Sequence, residues 1–125
     1  MPEFARMAAQ RDPASVAIRD PNRSYTWAEV DDILNRTANL FLDSDLGPDR
    51  RVAVFAENAA ETAFAHLGGL LGGTSTVPVN FHLTAEEAAY IFADSDSRII
   101  FTDPTTVGRA QEAAKAAGIE TLVMW

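Results

Sequence analysis

The sequence has no cysteine and only one lysine, Lys115, among its 125 residues. Without cysteine the chain cannot form disulfides, thiolate metal sites or a cysteine nucleophile, and this fits a reducing compartment, so we expect a cytoplasmic location. The chain is also poor in positive charge, with 10 basic against 18 acidic residues and a formal net charge of -8. Nucleic acids and anionic membranes are bound by clustered cations, so we expect neither as a partner.

Long hydrophobic runs are missing as well. The longest run covers residues 59–73 and contains Glu61 and His66. It is about fifteen residues long, whereas a transmembrane helix needs about twenty. Residues 1–12 have no apolar segment like that of a secretory signal. The chain is 47% hydrophobic and 22% charged, as in globular proteins, so we predict that the longest run is a buried helix.

Apolar strands alternate with helical patterns in the second part of the chain. Predicted strand centres recur about every 23 residues, at Val54, Val77, Ile100 and Val123. This spacing leaves room for one helix and two short loops between strands, which is the βαβ unit of a parallel sheet. We therefore predict a three-layer, doubly wound α/β fold with a mostly parallel sheet over residues 51–125. Pro78 indicates that its strand ends there or lies at an edge.

Residues 1–50 are predicted to precede these repeats as a lead-in helix, a small hairpin and a longer helix. The lead-in helix is expected over residues 2–10. The hairpin is predicted from two β-prone segments, residues 15–19 and 23–26, on either side of the turn sequence Asp-Pro-Asn.

Helix starts are predicted from residue pairs that can form capping boxes. Three such pairs occur, namely Thr26 with Glu29, Asn58 with Glu61, and Thr84 with Glu87. Asp103 followed by Pro104 predicts the start of the last helix, and Gly118 predicts its end.

The glycine-rich segment at residues 68–73 superficially resembles a phosphate-binding loop. Phosphate loops lie between a strand and the N-terminus of the next helix, where free N–H groups favour an anion. These glycines instead end a helix and precede a strand. We interpret them as positions of close helix packing and a helix C-cap.

The two histidines and the acidic pairs give weak signals for chemistry. His66 and His82 have no third ligand at helical spacing, so we expect no metal site. The adjacent acidic residues at 31–32 and 86–87 point in different directions on helices and are interpreted as solvent-exposed faces. Asp94 and Asp96 are interpreted as part of a turn.

Several polar residues follow the predicted strands. In open parallel sheets, ligands bind beyond the carboxyl ends of the strands. The candidate substrate-pocket residues are therefore Asn58, Asn80, Phe81, His82 and Asp103. The alternative interpretation, helix caps and turn formers, stays open for all five. We predict no catalytic residue among them.

Several segments together resemble the adenylate-forming, AMP-binding acyl-CoA synthetases, and most of all the fatty-acyl-CoA synthetases. They are SYTWAEV at 24–30, NRTANLF at 35–41, RVAVFAEN at 51–58, VPVN at 77–80 and LTAEE at 83–87. Together they cover nearly the full chain in the order found in that family. His82 stands where many members have arginine, although histidine is also found among the fatty-acid-directed members.

The resemblance implies that the chain is the N-terminal part of the large domain of such an enzyme, with a flavodoxin-like sheet. The implied enzyme joins a carboxylic acid to ATP as an acyl-adenylate, with Mg²⁺, and passes the acyl group to coenzyme A. The family's phosphate loop, nucleotide-binding motifs and catalytic lysine lie beyond the matched region. We therefore expect this chain alone to be inactive and to bind none of these cofactors.

The chain ends within an apolar strand at Trp125, so we expect it to be part of a longer polypeptide. Two other functions stay open. The chain could be a stand-alone, non-catalytic flavodoxin-like binding module, although no lysine follows a strand as a phosphoacceptor receiver would need. It could also act as an assembly partner, forming homo-oligomers through an exposed sheet edge.

Overall fold

The structure is a computed structural model and describes residues 3–125. The predicted start of the first helix at Pro2 lies outside this range. Helix α1 is Phe4–Arg11, followed by the hairpin strands β1 (Val16–Arg19) and β2 (Ser24–Thr26) and by helix α2 (Trp27–Asp43). The predicted hairpin is confirmed, with Arg19 paired to Ser24 in antiparallel register.

Strands and helices then alternate to the end of the chain. The order is β3 (Arg51–Phe55), α3 (Ala60–Leu71), β4 (Ser75–Pro78), α4 (Ala85–Asp94), β5 (Ile99–Thr102), α5 (Val107–Ala117) and β6 (Thr121–Met124). These four strands form one parallel sheet in the order β4-β3-β5-β6. Pro78 is the last residue of β4, which lies at an edge of this sheet, so both inferences from that proline are confirmed.

Successive side chains of the central strands point to opposite faces of the sheet. Ala53, Phe55 and Ile100 pack against α4 and α5, and the ring of Phe55 meets that of Phe92 at 6.0 Å. The alternate residues of β3 and β5 lie on the other face, where they pack against Phe41 of α2 and Ala65 of α3. They are Val52, Val54, Ile99 and Phe101. Helices therefore cover both faces of a parallel sheet, which confirms the predicted three-layer α/β fold.

The glycines of α3 allow this helix to lie close to its neighbours. A Cβ atom at Gly68 would lie 2.4 Å from Thr37 Cγ2 of α2, and one at Gly69 would lie 2.4 Å from Thr76 Cγ2 of β4. Both distances are far shorter than van der Waals contact. The interpretation of this segment as a packing surface is confirmed.

Two of the three predicted capping boxes form. The hydroxyl oxygens of Thr26 and Thr84 accept hydrogen bonds from the amides of Glu29 and Glu87, whose carboxylates accept from the threonine amides in return. The predicted cap at Asn58 is wrong. The N-cap residue of α3 is Ala59, which has no side-chain acceptor, and a carboxylate from the hairpin supplies the missing acceptor.

The predicted start of the last helix is also wrong. Helix α5 begins at Val107, and residues 103–106 form a turn before it. The turn forms because the Asp103 carboxylate accepts hydrogen bonds from the amides of Thr105 and Thr106. The predicted end is confirmed, since Gly118 adopts φ 73°, a left-handed conformation that glycine takes without strain. Across residues 3–125, no helix is both long enough and apolar enough to cross a membrane.

Candidate functional site

The carboxyl ends of the four parallel strands meet at one edge of the sheet, called the carboxyl edge below. Two of the five candidate residues, Asn58 and Asp103, line a cleft of about 350 Å³ at this edge. Its walls are the hairpin turn, the β3–α3 loop, the β5–α5 turn and Trp125. Asn80, Phe81 and His82 lie on the β4–α4 loop instead. The structure therefore divides the predicted set into two groups.

Asp103 is buried at the end of β5, with 6% of its surface exposed. One carboxylate oxygen, Oδ2, accepts a hydrogen bond from the Glu57 amide at 2.6 Å. The other, Oδ1, accepts from the Thr105 hydroxyl at 2.7 Å and from the Thr106 amide at 2.9 Å. Burial by itself raises the pKa of Asp103, but the hydrogen bonds from Thr105, Glu57 and Thr106 outweigh it and hold the pKa below the ordinary value of 3.8.

Two buried threonines continue this network between the strands. The Thr106 hydroxyl donates to the Phe55 carbonyl oxygen at 2.7 Å and lies 2.7 Å from the Thr102 hydroxyl. The network therefore ties the last residues of β3 and β5 together. Thr106 is not among the residues predicted from the sequence. Its signal in the sequence is its position three residues after an aspartate that follows a buried strand, because such a threonine can close the turn.

The other end of the β3–α3 loop is held by Asp20 from the hairpin turn. Its Oδ2 accepts a hydrogen bond from the Ala60 amide at 3.1 Å. Its Oδ1 accepts from the amides of Asn22 and Arg23, each at 2.8 Å. These bonds, led by the one from Ala60, lower the pKa of Asp20. Asp20 is thus the side-chain cap of α3 that the sequence analysis assigned to Asn58.

A second set of contacts fixes the hairpin to α3. The Tyr25 hydroxyl donates to Glu61 Oε1 at 3.0 Å, and Arg23 lies 3.5 Å from the same carboxylate oxygen. The rings of Tyr25 and Phe64 meet edge to face at 5.0 Å. Burial, followed by the bond to Glu61, raises the pKa of Tyr25. The hairpin therefore forms a fixed wall of the cleft.

The β4–α4 loop is a tight turn at the other end of the carboxyl edge. Asn80 forms this turn, because its Oδ1 accepts from the His82 amide at 3.0 Å and its carbonyl oxygen accepts from the Leu83 amide at 3.1 Å. The ring of the exposed His82 lies 4.1 Å from that of Phe81. Arg109 of α5 donates a hydrogen bond to the Phe81 carbonyl oxygen of this loop at 2.8 Å. Arg109 is not among the residues predicted from the sequence.

The two features that the sequence offers for a metal or a phosphate, the histidines and the glycine-rich segment, make structural contacts. Within residues 3–125, no group of three or more His, Cys, Asp or Glu side chains could hold a metal ion. His66 Nδ1 lies 2.8 Å from the Thr76 hydroxyl, and burial lowers the pKa of this histidine. The glycines of α3 pack against threonine side chains.

The sequence of residues 5–124 matches the family model described as AMP-binding enzyme. The chain is 32% identical over 115 residues to a fatty acid–[acyl-carrier-protein] ligase, ScoC, of Streptomyces coeruleorubidus. This alignment covers 92% of this chain and 22% of that protein. It is 36% identical over 80 residues to a crotonobetaine/carnitine–CoA ligase of Citrobacter koseri, covering 64% of this chain and 16% of that one.

The fold is similar to that of a solved enzyme structure. A benzoate CoA ligase from Burkholderia xenovorans superposes with a TM-score of 0.85 and 21% sequence identity, covering 99% of this chain and 25% of that chain. At this identity the likeness shows the fold alone. Each of these three proteins is several times longer than the present chain. The chain spans a quarter or less of the length of each of them.

Proposed function

The chain belongs to the AMP-binding enzyme family, and we propose that it is the N-terminal part of an ATP-dependent acyl-CoA synthetase. In the proposed reaction a carboxylate oxygen attacks the α-phosphate of ATP, which forms an acyl-adenylate and releases pyrophosphate. The sulfur of coenzyme A then attacks the acyl carbon, and AMP leaves. The observation that carries the proposal is the match of residues 5–124 to the family model.

We propose a fatty acid as the carboxylic acid substrate. The printed names of similar proteins support a carboxylic acid, since they include a fatty acid ligase and a crotonobetaine/carnitine–CoA ligase. The fatty acid ligase aligns with 92% of this chain, which favours the fatty acid among these. That relative transfers to an acyl-carrier protein, as its name states, so the thiol acceptor needs its own test.

The proposed contribution of this chain is a framework and part of a pocket wall at the carboxyl edge. Asp103 is occupied by backbone and hydroxyl donors, so its proposed role is to fix loops that other parts of the enzyme contact. Asn58 and His82 are exposed at the same edge and stay candidates for contact with substrate. Nucleotide and Mg²⁺ are proposed to bind through residues outside this chain.

The first test is acid-dependent ATP–pyrophosphate exchange by the purified 125-residue chain. We expect no exchange, because the family's phosphate loop and catalytic lysine are expected outside these 125 residues. The second test uses the product of the complete reading frame, in which we expect a Thr/Ser/Gly-rich loop with lysine downstream of Trp125. This product should show exchange with fatty acids and should transfer the acyl group to coenzyme A. Transfer to an acyl-carrier protein alone would correct the acceptor, and no exchange with any carboxylic acid would refute the synthetase.

A second candidate function is an assembly module. Within the described residues, β4 pairs only with β3 and β6 pairs only with β5, so each presents one open edge. Open edges can pair with another chain. Light scattering after size exclusion would support this function if it gave a mass of two chains or more that persisted on dilution, and a monomer would exclude it.

A further inference from the structure

Arg109 holds the β4–α4 loop through two backbone carbonyls. Its Nη1 donates to the carbonyl oxygen of Phe81 at 2.8 Å and to that of Leu83 at 2.5 Å. The guanidinium carbon lies 5.3 Å from the centre of the Phe55 ring, within the range of a cation–π contact. Arg109, a residue of α5, therefore contacts the core through Phe55 and binds the β4–α4 loop through hydrogen bonds.

These bonds leave His82 little freedom in its backbone. The two carbonyls that Arg109 binds belong to the residues on either side of His82, and the His82 amide donates to Asn80 Oδ1 at 3.0 Å. The half-buried Phe81 ring packs on the core and lies 4.1 Å from the His82 ring. The loop thus presents the half-buried Phe81 ring and the exposed His82 ring side by side at the carboxyl edge.

We propose that Arg109 is a positioning residue for this edge: through the β4–α4 loop it fixes the rings of Phe81 and His82 in the orientation that receives one of the three substrates. The inference rests on the proposed function and assigns it a residue beyond the candidates found from the sequence. The reason is the position of the contact. Besides lying over the Phe55 ring of β3, Arg109 binds a loop at the carboxyl edge, where ligands bind in open parallel sheets.

Arginine suits this role better than lysine, because its Nη1 binds both carbonyls while the planar guanidinium lies over the Phe55 ring. A guanidinium has five N–H donors in fixed directions and can stack on an aromatic ring, whereas an ammonium is a strongly hydrated point charge. An Arg109→Lys variant keeps the charge but cannot keep both the ring contact and the pair of carbonyl bonds. Arg109→Lys should therefore recover only part of the rise in KM that we expect for Arg109→Gln.

The chain also offers a matched control in Arg50. Its guanidinium donates to the carbonyls of Phe41, Gly72 and Gly73 at the ends of α2 and α3. These bonds lie at the opposite edge of the sheet, where β3 begins. An Arg50→Gln variant therefore loses bonds of the same kind without touching the carboxyl edge.

The kinetic experiment uses the complete reading-frame product with Arg109→Gln, Arg109→Lys and Arg50→Gln. For Arg109→Gln we expect the KM for one of ATP, carboxylic acid or coenzyme A to rise about tenfold with kcat nearly unchanged, because a displaced loop weakens one contact. Arg109→Lys should recover part of that change, and Arg50→Gln should leave every KM unchanged. A uniform loss of kcat, equal effects in Arg50→Gln, or no change at all would overturn the proposal.

A structural experiment separates this inference from the proposed function. In the 125-residue chain, NMR should show that Arg109→Gln moves the His82 ring proton resonances toward random-coil positions while the amides of β3 stay protected from exchange. Unchanged His82 resonances would overturn the positioning role. An inactive wild-type product would refute the synthetase, and the substrate role of Arg109 with it, whereas the NMR result would still decide whether Arg109 orders the loop.

Discussion

The carboxylate of Asp103 accepts a hydrogen bond from the amide of Glu57, with 2.6 Å between Asp103 Oδ2 and Glu57 N. This bond joins the segments that follow β3 and β5, two neighbouring strands of the parallel sheet. At the other end of the same loop, Asp20 accepts from the Ala60 amide at 3.1 Å. The β3–α3 loop, which carries Asn58, is therefore held between two carboxylates from distant parts of the chain.

We expect Asp103→Ala to destabilise the protein by about 2 to 4 kcal/mol, because it removes the acceptor of the buried Thr106 amide and of the partly buried amides of Glu57 and Thr105. The measurement is the free energy of unfolding in urea. The control is Asp32→Ala, which removes only an exposed ion pair with Arg36 at 2.8 Å and should change stability by no more than about 1 kcal/mol. Equal effects of the two substitutions would contradict the role given to Asp103.

The contribution of Asp103 should depend on pH only under acidic conditions. Its pKa is lower in the folded protein than the ordinary value, so the stabilisation is fully present above the unfolded pKa of about 3.9 and is lost as the pH falls through the folded value. Asp20, Glu29 and Glu87 have lowered pKa values too. The quantity to measure is therefore the difference in unfolding free energy between wild type and Asp103→Asn. It should be constant from about pH 7 to pH 5 and shrink below about pH 4, and a difference that shrinks already at neutral pH would argue against this assignment.

Two glycine-to-alanine substitutions in helices should have opposite signs. Gly68→Ala places a Cβ 2.4 Å from Thr37 Cγ2, and we expect it to destabilise the protein by about 1 to 3 kcal/mol through overpacking. Gly108→Ala in α5 meets nothing within 4 Å and should stabilise by up to about 1 kcal/mol through higher helix propensity. Thermal unfolding of both variants checks this. Stabilisation by Gly68→Ala would show that α2 and α3 pack less closely than described.

The identity of the α3 cap can be tested by comparing Asp20→Ala with Asn58→Ala. Asp20 accepts from the Ala60 amide, whereas Asn58 is exposed and α3 begins after Ala59 without a side-chain cap of its own. We expect the midpoint of thermal unfolding to fall more for Asp20→Ala than for Asn58→Ala. The reverse order would restore the cap predicted from the sequence.

His66 should titrate at lower pH than an ordinary histidine. Burial lowers its pKa from 6.5, and its Nδ1 lies 2.8 Å from the Thr76 hydroxyl. Between the folded and unfolded pKa values the folded state binds fewer protons, so stability should rise with pH in that window. NMR titration of the His66 ring protons provides the measurement, and a midpoint at or above 6.5 would contradict the burial of this ring.

Patterns within one segment predicted much of the fold. The capping boxes at Thr26 and Thr84 formed because all their atoms lie within one helical turn. The strand spacing predicted the parallel sheet, and the position of the glycines relative to α3 excluded a phosphate loop. The wrong predictions concern Asn58 and Asp103, whose neighbours in sequence were assumed to be their partners.

The tertiary contacts were out of reach because their partners lie far apart in the chain. Asp20 caps a helix that begins at Ala60, and Arg109 binds the carbonyl of Phe81. Nothing in the local sequence of either residue distinguishes it from an exposed charged side chain. The five candidate residues were predicted to share one edge, and only the strand order divided them between the cleft and the β4–α4 loop.

The sequence by itself determined the family, the α/β class and the start of most elements, because hydrophobic periodicity and helix caps act over a few residues. The tertiary structure alone decided which side chains hold the loops at the carboxyl edge. A carboxylate or guanidinium can satisfy any backbone group that the fold brings within about 3 Å, and that choice depends on how distant segments pack.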